Sequence, residues 1–204
     1  MNMDCIVIVF AKAPIAGFAK TRLAAAIGED AAATLAARMI DETLRHAVAA
    51  DVGSVILYCT PDVTHPVFVQ AQATYSIPLA QQDEGDIGQR MYSAMTIALR
   101  DYPRAILIGT DIPALDAQAI RQAAQDLRQH PVVFIPAQDG GYVLTGLSRM
   151  IPEIFEGIDW STSRVMEQTR NKLSQRGIRW IEYPPLRDID APEDLPFVPA
   201  EWLA

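Results

Sequence analysis

Residues 5–23 decide the architecture of this protein; their sequence is CIVIVFAKAPIAGFAKTRL. The stretch begins with an unbroken apolar run, Cys5–Ala11, and a continuous run is typical of a strand that is covered on both faces. The run is too short to span a bilayer, and Lys12 ends it without the small-residue pattern of a signal-peptide cleavage site. We therefore predict a buried strand followed by a polar loop.

Further apolar runs follow the first one, with helical periods between them. The runs are Ser54–Thr60, Arg104–Thr110, Val132–Ala137 and Ile178–Tyr183, with a weaker one at Ser76–Gln81. Amphipathic helical stripes lie within residues 35–48, 87–98 and 120–127. Strands that alternate with helices predict βαβ units and a mostly parallel sheet with helices on both faces. At 204 residues, we expect a single domain over residues 1–204.

Composition narrows the function classes. Half of the residues are apolar and 21% are charged, as in ordinary globular proteins. The formal net charge of −8 argues against a nucleic-acid polymer as partner, because such binding needs clustered Lys and Arg. Both cysteines, Cys5 and Cys59, lie in apolar runs, which suits free thiols in a reducing compartment. We expect a cytoplasmic protein without a membrane partner; a homo-oligomer stays open.

The loop after the first strand carries three cations, Lys12, Lys20 and Arg22. Pro14 and Gly17 shape this loop, and glycine lets backbone amides approach a ligand closely. Ligands of open α/β sheets bind beyond the carboxyl ends of the strands, so we predict a diphosphate site here. The alternative is a solvated surface loop. A Walker loop and a GxGxxG fingerprint are both excluded, since their glycines are missing.

Acidic residues follow two later strands. Asp111 ends the stretch Ile106–Asp111, where a hard oxygen ligand can hold Mg²⁺ or Mn²⁺ against substrate phosphates. Asp190 is the candidate second ligand. The alternatives are an Asx turn for Asp111 and a polar turn before a helix for Asp190.

Three further motifs are candidates for substrate contact. The Asp139-Gly140-Gly141-Tyr142 stretch can present an acid and backbone amides to an acceptor, and a plain hairpin turn has the same pattern. Trp160 precedes Ser161 and Thr162, which we interpret mainly as a helix N-cap. Asp86 and Arg90 either contact the nucleotide or the acceptor or, for the acid, compensate the dipole of a helix.

Together these residues resemble the bacterial glycosyltransferase-A-like family, whose members carry labels such as arsenosugar-biosynthesis glycosyltransferase or selenodomain-associated transferase. The resemblance covers nearly the whole chain and rests on these segments: 12–23, Gly85–Met91, Gly109–Pro113, Asp139–Tyr142, Trp160–Thr162 and Asp188–Leu195. It implies the nucleotide-diphospho-sugar transferase fold, a three-layer Rossmann-like sandwich that glycosyltransferases share with nucleotidyltransferases. One departure stands out, because Pro113 occupies the position of the second acid of a DxD metal motif. Metal binding by a single Asp is instead similar to that of the nucleotidyltransferase branch of this fold.

We expect an enzyme that takes a nucleotide or nucleotide sugar as donor, and we favour glycosyl transfer to a small-molecule acceptor. Asp111 would anchor the metal, Lys20 and Arg22 would stabilise the leaving diphosphate, and Asp139 would act as base or acceptor contact. The alternatives are nucleotidyl transfer onto a phosphorylated small molecule with release of pyrophosphate, and a nucleotide-binding protein without turnover. The fold alone does not choose between them.

Overall fold

The computed structural model describes residues 4–203 and places them around one seven-stranded sheet. The strands are β1 (Ile6–Lys12), β2 (Ser54–Thr60), β3 (Leu79–Gln81), β4 (Ala105–Ile108), β5 (Val132–Pro136), β6 (Tyr142–Leu147) and β7 (Ile181–Glu182). The helices are α1 (Thr21–Ile27), α2 (Glu29–Ala49), α3 (Pro66–Tyr75), α4 (Ile87–Asp101), α5 (Ala117–Asp126) and α6 (Val165–Gln175). Short 3₁₀ helices span Pro152–Ile154, Pro192–Phe197 and Ala200–Trp202.

The strand order is β3-β2-β1-β4-β6-β5-β7. Strand β6 runs antiparallel to both of its neighbours, whereas the other pairings are parallel. Strand β1 lies in the interior of the sheet, next to the central strand β4, and pairs with β2 on its other side. The loops after β1 and β4 therefore lie side by side at the carboxyl edge of the sheet.

Helices cover both faces of the sheet. Val7 and Val9 of β1 pack on the face that α2, α3 and α5 cover. Ile6 and Ile8 pack on the opposite face, against α4 and α6. Because both faces are dry, β1 is apolar at every position before Lys12, and the predicted three-layer α/β fold with a mostly parallel sheet is confirmed.

Strand β6 was not predicted from the apolar runs, because Thr145 and Gly146 interrupt its pattern. Gly146 pairs with both Ile106 and Val133, in the middle of the sheet. A Cβ atom at Gly146 would lie 2.8 Å from the Leu127 side chain, so the missing side chain makes room for the end of α5. The Asp139–Gly141 stretch is accordingly the turn of a β5–β6 hairpin.

Candidate active site

The loops after β1 and β4 meet the segment after β7 beyond the carboxyl edge of the sheet. They enclose a space of about 490 Å³, which we call the crevice. Six of the predicted site residues line it: Lys12, Lys20, Arg22, Arg90, Asp111 and Asp190. The fold thus brings together residues that are far apart in the sequence.

Lys20 joins the three parts of the crevice. Its ammonium lies 2.7 Å from Asp111 Oδ1 and 3.8 Å from Asp190 Oδ1, and its side chain is only 5% exposed. Lys20 Nζ also donates a hydrogen bond to the Ile189 carbonyl at 2.5 Å. The backbone of Lys20 is left-handed, with φ of 49°, at the N-cap of α1. This backbone strain is of the kind found where a side chain must be held in one place.

The other two cations of the loop are more open. Arg22 Nη1 contacts Asp190 Oδ2 at 2.8 Å, yet its side chain is 74% exposed. Lys12 Nζ donates to the Phe18 carbonyl at 2.7 Å and so closes the loop on itself. A guanidinium carries about five N–H donors in total, so most of those on Arg22 remain for a ligand.

Asp194 holds the segment that carries Asp190. Its carboxylate accepts the backbone N–H groups of Asp190 and Ala191 at 3.1 and 2.9 Å, and the Arg187 guanidinium at 2.9 Å. Burial raises the pKa of the Asp194 carboxyl, but the backbone hydrogen bonds and Arg187 outweigh it, and the net pKa is lowered. The backbone N–H of Ile189 also donates to the Asp111 carbonyl at 2.8 Å.

Arg90 is positioned by Gln82, a residue that no sequence motif singled out. The buried Gln82 amide donates to the carbonyls of Ala11 and Tyr58 at 3.3 and 3.0 Å, and its oxygen accepts from Arg90 Nη1 at 3.0 Å. A buried glutamine with both ends used in this way fixes the guanidinium. The only signal in the sequence is a polar residue directly after an apolar run.

Asp86, Pro14 and Gly17 do not line the crevice. Asp86 caps α4, with its carboxylate accepting from the Gln89 backbone at 2.9 Å in a capping box. Pro14 is buried in the loop, and Gly17, with φ of 77°, passes close to the Glu29 carboxylate. These two residues shape the loop, and the Asp86 carboxylate serves its helix.

A second concavity of about 490 Å³, which we call the cleft, adjoins the crevice. Arg22, Ile87 and Asp190 line both spaces. Of the predicted acceptor residues, Asp139, Gly141, Tyr142 and Trp160 line the cleft. The predicted N-cap role of Ser161 and Thr162 is wrong in position, since α6 begins at Val165 with Arg164 at its N-cap.

Two glycines allow the walls of the cleft to close. A Cβ atom at Gly140 would lie 2.2 Å from the Ser163 carbonyl oxygen, and Gly140 has φ of +95°. A Cβ atom at Gly88 would lie 2.1 Å from Trp160 Nε1. Gly140 thus lets the hairpin turn touch the loop before α6, and Gly88 lets the indole rest on α4.

Carboxylates lie at the hairpin end of the cleft. Asp139 Oδ1 accepts the Gly141 backbone N–H at 2.8 Å, which is an Asx turn. Burial raises the pKa of the Asp188 carboxyl, and the neighbouring Asp139 charge raises it further. In the sequence, Asp188 was recognisable only as part of a polar turn.

A divalent ion in the crevice would be held by the Asp111 and Asp190 carboxylates together with substrate phosphates. Their side chains are 50% and 39% exposed, and Lys20 lies between them. Within residues 4–203, no group of three or more His, Cys, Asp or Glu side chains is arranged to hold a metal alone. One or two carboxylates with substrate phosphates are the usual ligands of Mg²⁺.

Within the part of the chain that the structure describes, no helix is both long and apolar enough to cross a membrane.

The fold and the polar loops at its carboxyl edge place the protein in the class of nucleotide-diphospho-sugar transferase folds. Residues 43–162 match the family of uncharacterized proteins conserved in bacteria that is designated DUF2064, and the chain belongs to this family. No curated protein sequence matches the chain.

Solved structures support the class. A proposed nucleotide-diphospho-sugar transferase from Desulfovibrio desulfuricans G20 is 31% identical, with a TM-score of 0.84 over 94% of this chain and 84% of that one. The 4-diphosphocytidyl-2C-methyl-D-erythritol synthase from Anaerococcus prevotii is 11% identical, with a TM-score of 0.66 over the full length of both chains. A cytidylyltransferase from Leptospira borgpetersenii is 14% identical, with a TM-score of 0.57 over 95% and 84%. At such low identity, the latter two show the fold alone.

Proposed function

We propose that this protein transfers a glycosyl group from a nucleotide diphosphate sugar to a small acceptor. The observation that carries the proposal is the pair of adjoining spaces, which share Arg22, Ile87 and Asp190. Cations line the crevice, as a diphosphate requires, and carboxylates and aromatic rings line the cleft. The 31% identity to a proposed nucleotide-diphospho-sugar transferase supports the same class of donor.

Four crevice residues have definite tasks in this reaction. Arg22 and Lys20 stabilise the negative charge that grows on the leaving diphosphate, so they help the transition state more than the ground state. Asp111 and Asp190 would hold Mg²⁺ or Mn²⁺. When bound, the ion neutralises charge on the diphosphate oxygens.

The acceptor reacts from the cleft side. Its hydroxyl oxygen forms a bond to the anomeric carbon of the donor, and the bond from that carbon to the diphosphate oxygen breaks. The nucleoside diphosphate leaves with the electron pair, and the hydroxyl proton passes to the Asp139 carboxylate. Asp139 retains one oxygen for this task, because the Gly141 N–H engages only Oδ1.

Nucleotidyl transfer is the second candidate. Pro113 stands where a DxD motif has its second acid, and the same fold occurs in a cytidylyltransferase. In that reaction a nucleoside triphosphate is attacked at its α-phosphate and pyrophosphate is released. A pyrophosphate assay separates the two reactions, since glycosyl transfer releases none.

The proposal is tested first by binding. Nucleoside diphosphates and their sugars, at a hundredfold excess over Kd, should stabilise the fold by about 2.7 kcal/mol, or raise the melting temperature by roughly 5–10 °C. The panel is measured with and without Mn²⁺. No shift from any nucleotide would overturn the proposal, and binding without turnover would indicate a nucleotide-binding protein.

Asp111→Asn tests the metal. The variant keeps the shape of the side chain and removes its charge, so it should fold and lose the Mn²⁺-dependent gain in nucleotide affinity together with nearly all turnover. Asp116→Asn is the matched control, because Asp116 lies a short way further along the chain and its carboxylate caps α5 by accepting from Ala119 N at 2.8 Å. Asn caps a helix as well as Asp does, so the control should retain both properties. Full Mn²⁺ enhancement in Asp111→Asn would remove the metal from the mechanism.

A further inference from the structure

The cleft and the crevice differ in the charges that line them. Lys12, Lys20, Arg22 and Arg90 face the crevice. Among the described residues that line the cleft, the only cation is Arg22, and its guanidinium already lies 2.8 Å from Asp190. The nearby Arg164 is engaged outside the lining, at 2.6 Å from Asp159.

The charges of Arg22 and Asp190 offset each other, so Asp139, with Asp188 beside it, gives the cleft a net negative charge. Asp139 and Asp190 line it, and Asp188 lies near enough to Asp139 for the two charges to interact. A second anion entering this space meets the charges of Asp139 and Asp188, while the one cation of the described lining, Arg22, is paired with Asp190 and, in the proposed function, binds the donor's diphosphate. Such juxtaposition is an effective way to reject a ligand, because an attractive fit elsewhere does not remove the repulsion.

The rest of the lining suits a ring that carries hydroxyl groups. Trp160 and Tyr142 meet edge to face, with ring centroids 6.1 Å apart, and Ile87 and Met91 extend the apolar surface. Ser161, Thr162 and Ser163 add hydroxyl groups to the lining. A pocket with an apolar floor and a few polar groups at its edge binds a ligand that has both kinds of surface. Carboxylates accept hydrogen bonds from such hydroxyls and cannot donate any.

We propose that the acceptor is an uncharged polyhydroxylated molecule, a sugar or polyol, and that the cleft excludes phosphorylated acceptors. This inference rests on the proposed function, because it names the acceptor that the same transferase would use. The donor's diphosphate binds in the crevice, which cations line, and the acceptor binds in the cleft, which carboxylates line. Arg22 lies between the two spaces. The two substrates are therefore sorted by charge across one shared wall.

The test uses matched pairs on the protein saturated with UDP or with the nucleoside diphosphate that binds it best. The pairs are methyl α-glucoside with glucose 1-phosphate, and glycerol with glycerol 3-phosphate, and binding is measured by saturation-transfer NMR. We expect the neutral member of at least one pair to bind roughly tenfold or more tightly than its phosphate. The preference should shrink at high salt, because salt screens the repulsion.

Two variants show whether charge causes the preference for the neutral member of each pair. Asp139→Asn removes a carboxylate charge and should reduce the preference severalfold, by improving binding of the phosphate. Trp160→Ala should weaken binding of the neutral member, and the repulsion between the phosphorylated member and the carboxylates should remain. A preference that Asp139→Asn does not change would show that charge is not the reason for it.

The outcomes separate this inference from the proposed function. If nucleotides bind and the phosphorylated members bind as well as the neutral ones, the acceptor inference is overturned and nucleotidyl transfer gains support. If nucleotides bind and neither member of any pair does, the cleft is not an acceptor site for this class. If no nucleotide binds, the proposed function itself fails.

Discussion

The crevice and the cleft share a wall, but different forces hold their residues in place. In the crevice, the Lys20 ammonium lies 2.7 Å from Asp111 and 3.8 Å from Asp190, so opposite charges join three chain segments. In the cleft, the walls meet because Gly88 and Gly140 have no side chains. A site held by charge tolerates changes of shape at its rim, whereas a site held by close packing does not.

This comparison leads to different expectations for mutation. Variants that add a methyl group at the walls of the cleft should cost stability regardless of salt. Variants that remove an exposed charge from the crevice should cost little stability and mainly change ligand binding. The following experiments test that division, beginning with the largest expected loss.

Gly140→Ala should be the most damaging of these variants. Its φ of +95° is unfavourable for alanine, and the new Cβ would lie 2.2 Å from the Ser163 carbonyl oxygen and 2.6 Å from Ser163 Cα. Neither backbone atom can move without displacing the loop before α6. We expect a loss of about 3 kcal/mol or more in the free energy of unfolding, measured with urea.

Gly177→Ala is the control for backbone strain. Gly177 also has a positive φ, of +64°, but a methyl group added there would meet nothing within 4 Å. We expect a loss of roughly 1–2 kcal/mol at this position, from the left-handed conformation alone. Equal losses at the two positions would mean that the hairpin turn moves freely and that the cleft is not held by packing.

The second experiment is a double-mutant cycle on Gly88 and Trp160. In an exposed helix, Gly→Ala is favourable by roughly 0.5–1 kcal/mol, but here the Cβ would lie 2.1 Å from Trp160 Nε1. Gly88→Ala alone should cost about 1–3 kcal/mol from overpacking. In the Trp160→Ala background the same change should be neutral or stabilising, because its obstacle is gone.

The coupling between the two sites is the quantity of interest. Neighbours in contact show interaction energies of about 0.5–3 kcal/mol, and independent sites add within about 0.5 kcal/mol. Denaturant unfolding of the wild type, the two single variants and the double variant gives the value directly. Additive losses would place the indole away from α4 and would remove the floor of the proposed acceptor site.

The difference between the crevice, held by charge, and the cleft, held by close packing, also explains what could be predicted from the sequence. The crevice residues were recognisable because most of them follow a strand, and the carboxyl ends of parallel strands share one edge. The close contacts that form the cleft were not recognisable in the sequence, since Gly88 and Trp160 meet only after folding. Gln82 was not predicted for the same reason, because it positions Arg90 only when its amide reaches carbonyls of β1 and β2 in the folded protein.

The backbone of the two sites was also beyond prediction from residue types. Lys20 and Ser161 both have positive φ, of 49° and 62°, although neither is a glycine. Sequence patterns predict left-handed residues from Gly, Asn and Asp, so these two positions gave no signal. Strand β6 was missed for a different reason, since an interior Thr and Gly weaken the apolar pattern that marks a strand.

The smallest expected loss of stability is that of Arg22→Met, and Lys20→Met is its reference. Both variants keep an apolar stem and remove a cation from Asp190. The Lys20 side chain is 5% exposed, whereas that of Arg22 is 74% exposed. Removing Lys20 leaves the Asp111 carboxylate and the Ile189 carbonyl without their shared donor and takes a positive charge away from Asp190, so we expect a loss of about 1–2 kcal/mol. The value stays below that for a fully buried pair, because the carboxylates keep contact with water.

Arg22→Met should change the free energy of unfolding by less than about 0.5 kcal/mol, since an exposed ion pair contributes little and is screened by salt. Its effect should lie in binding instead. A charge-assisted contact to a diphosphate is worth about 1.5–3 kcal/mol, so calorimetry should show UDP affinity reduced by roughly tenfold or more, with uridine affinity nearly unchanged. The loss should diminish as salt is raised. If Arg22→Met destabilises the fold as much as Lys20→Met does, the two cations act as one structural unit, and the wall between crevice and cleft is part of the core rather than a surface that binds substrate.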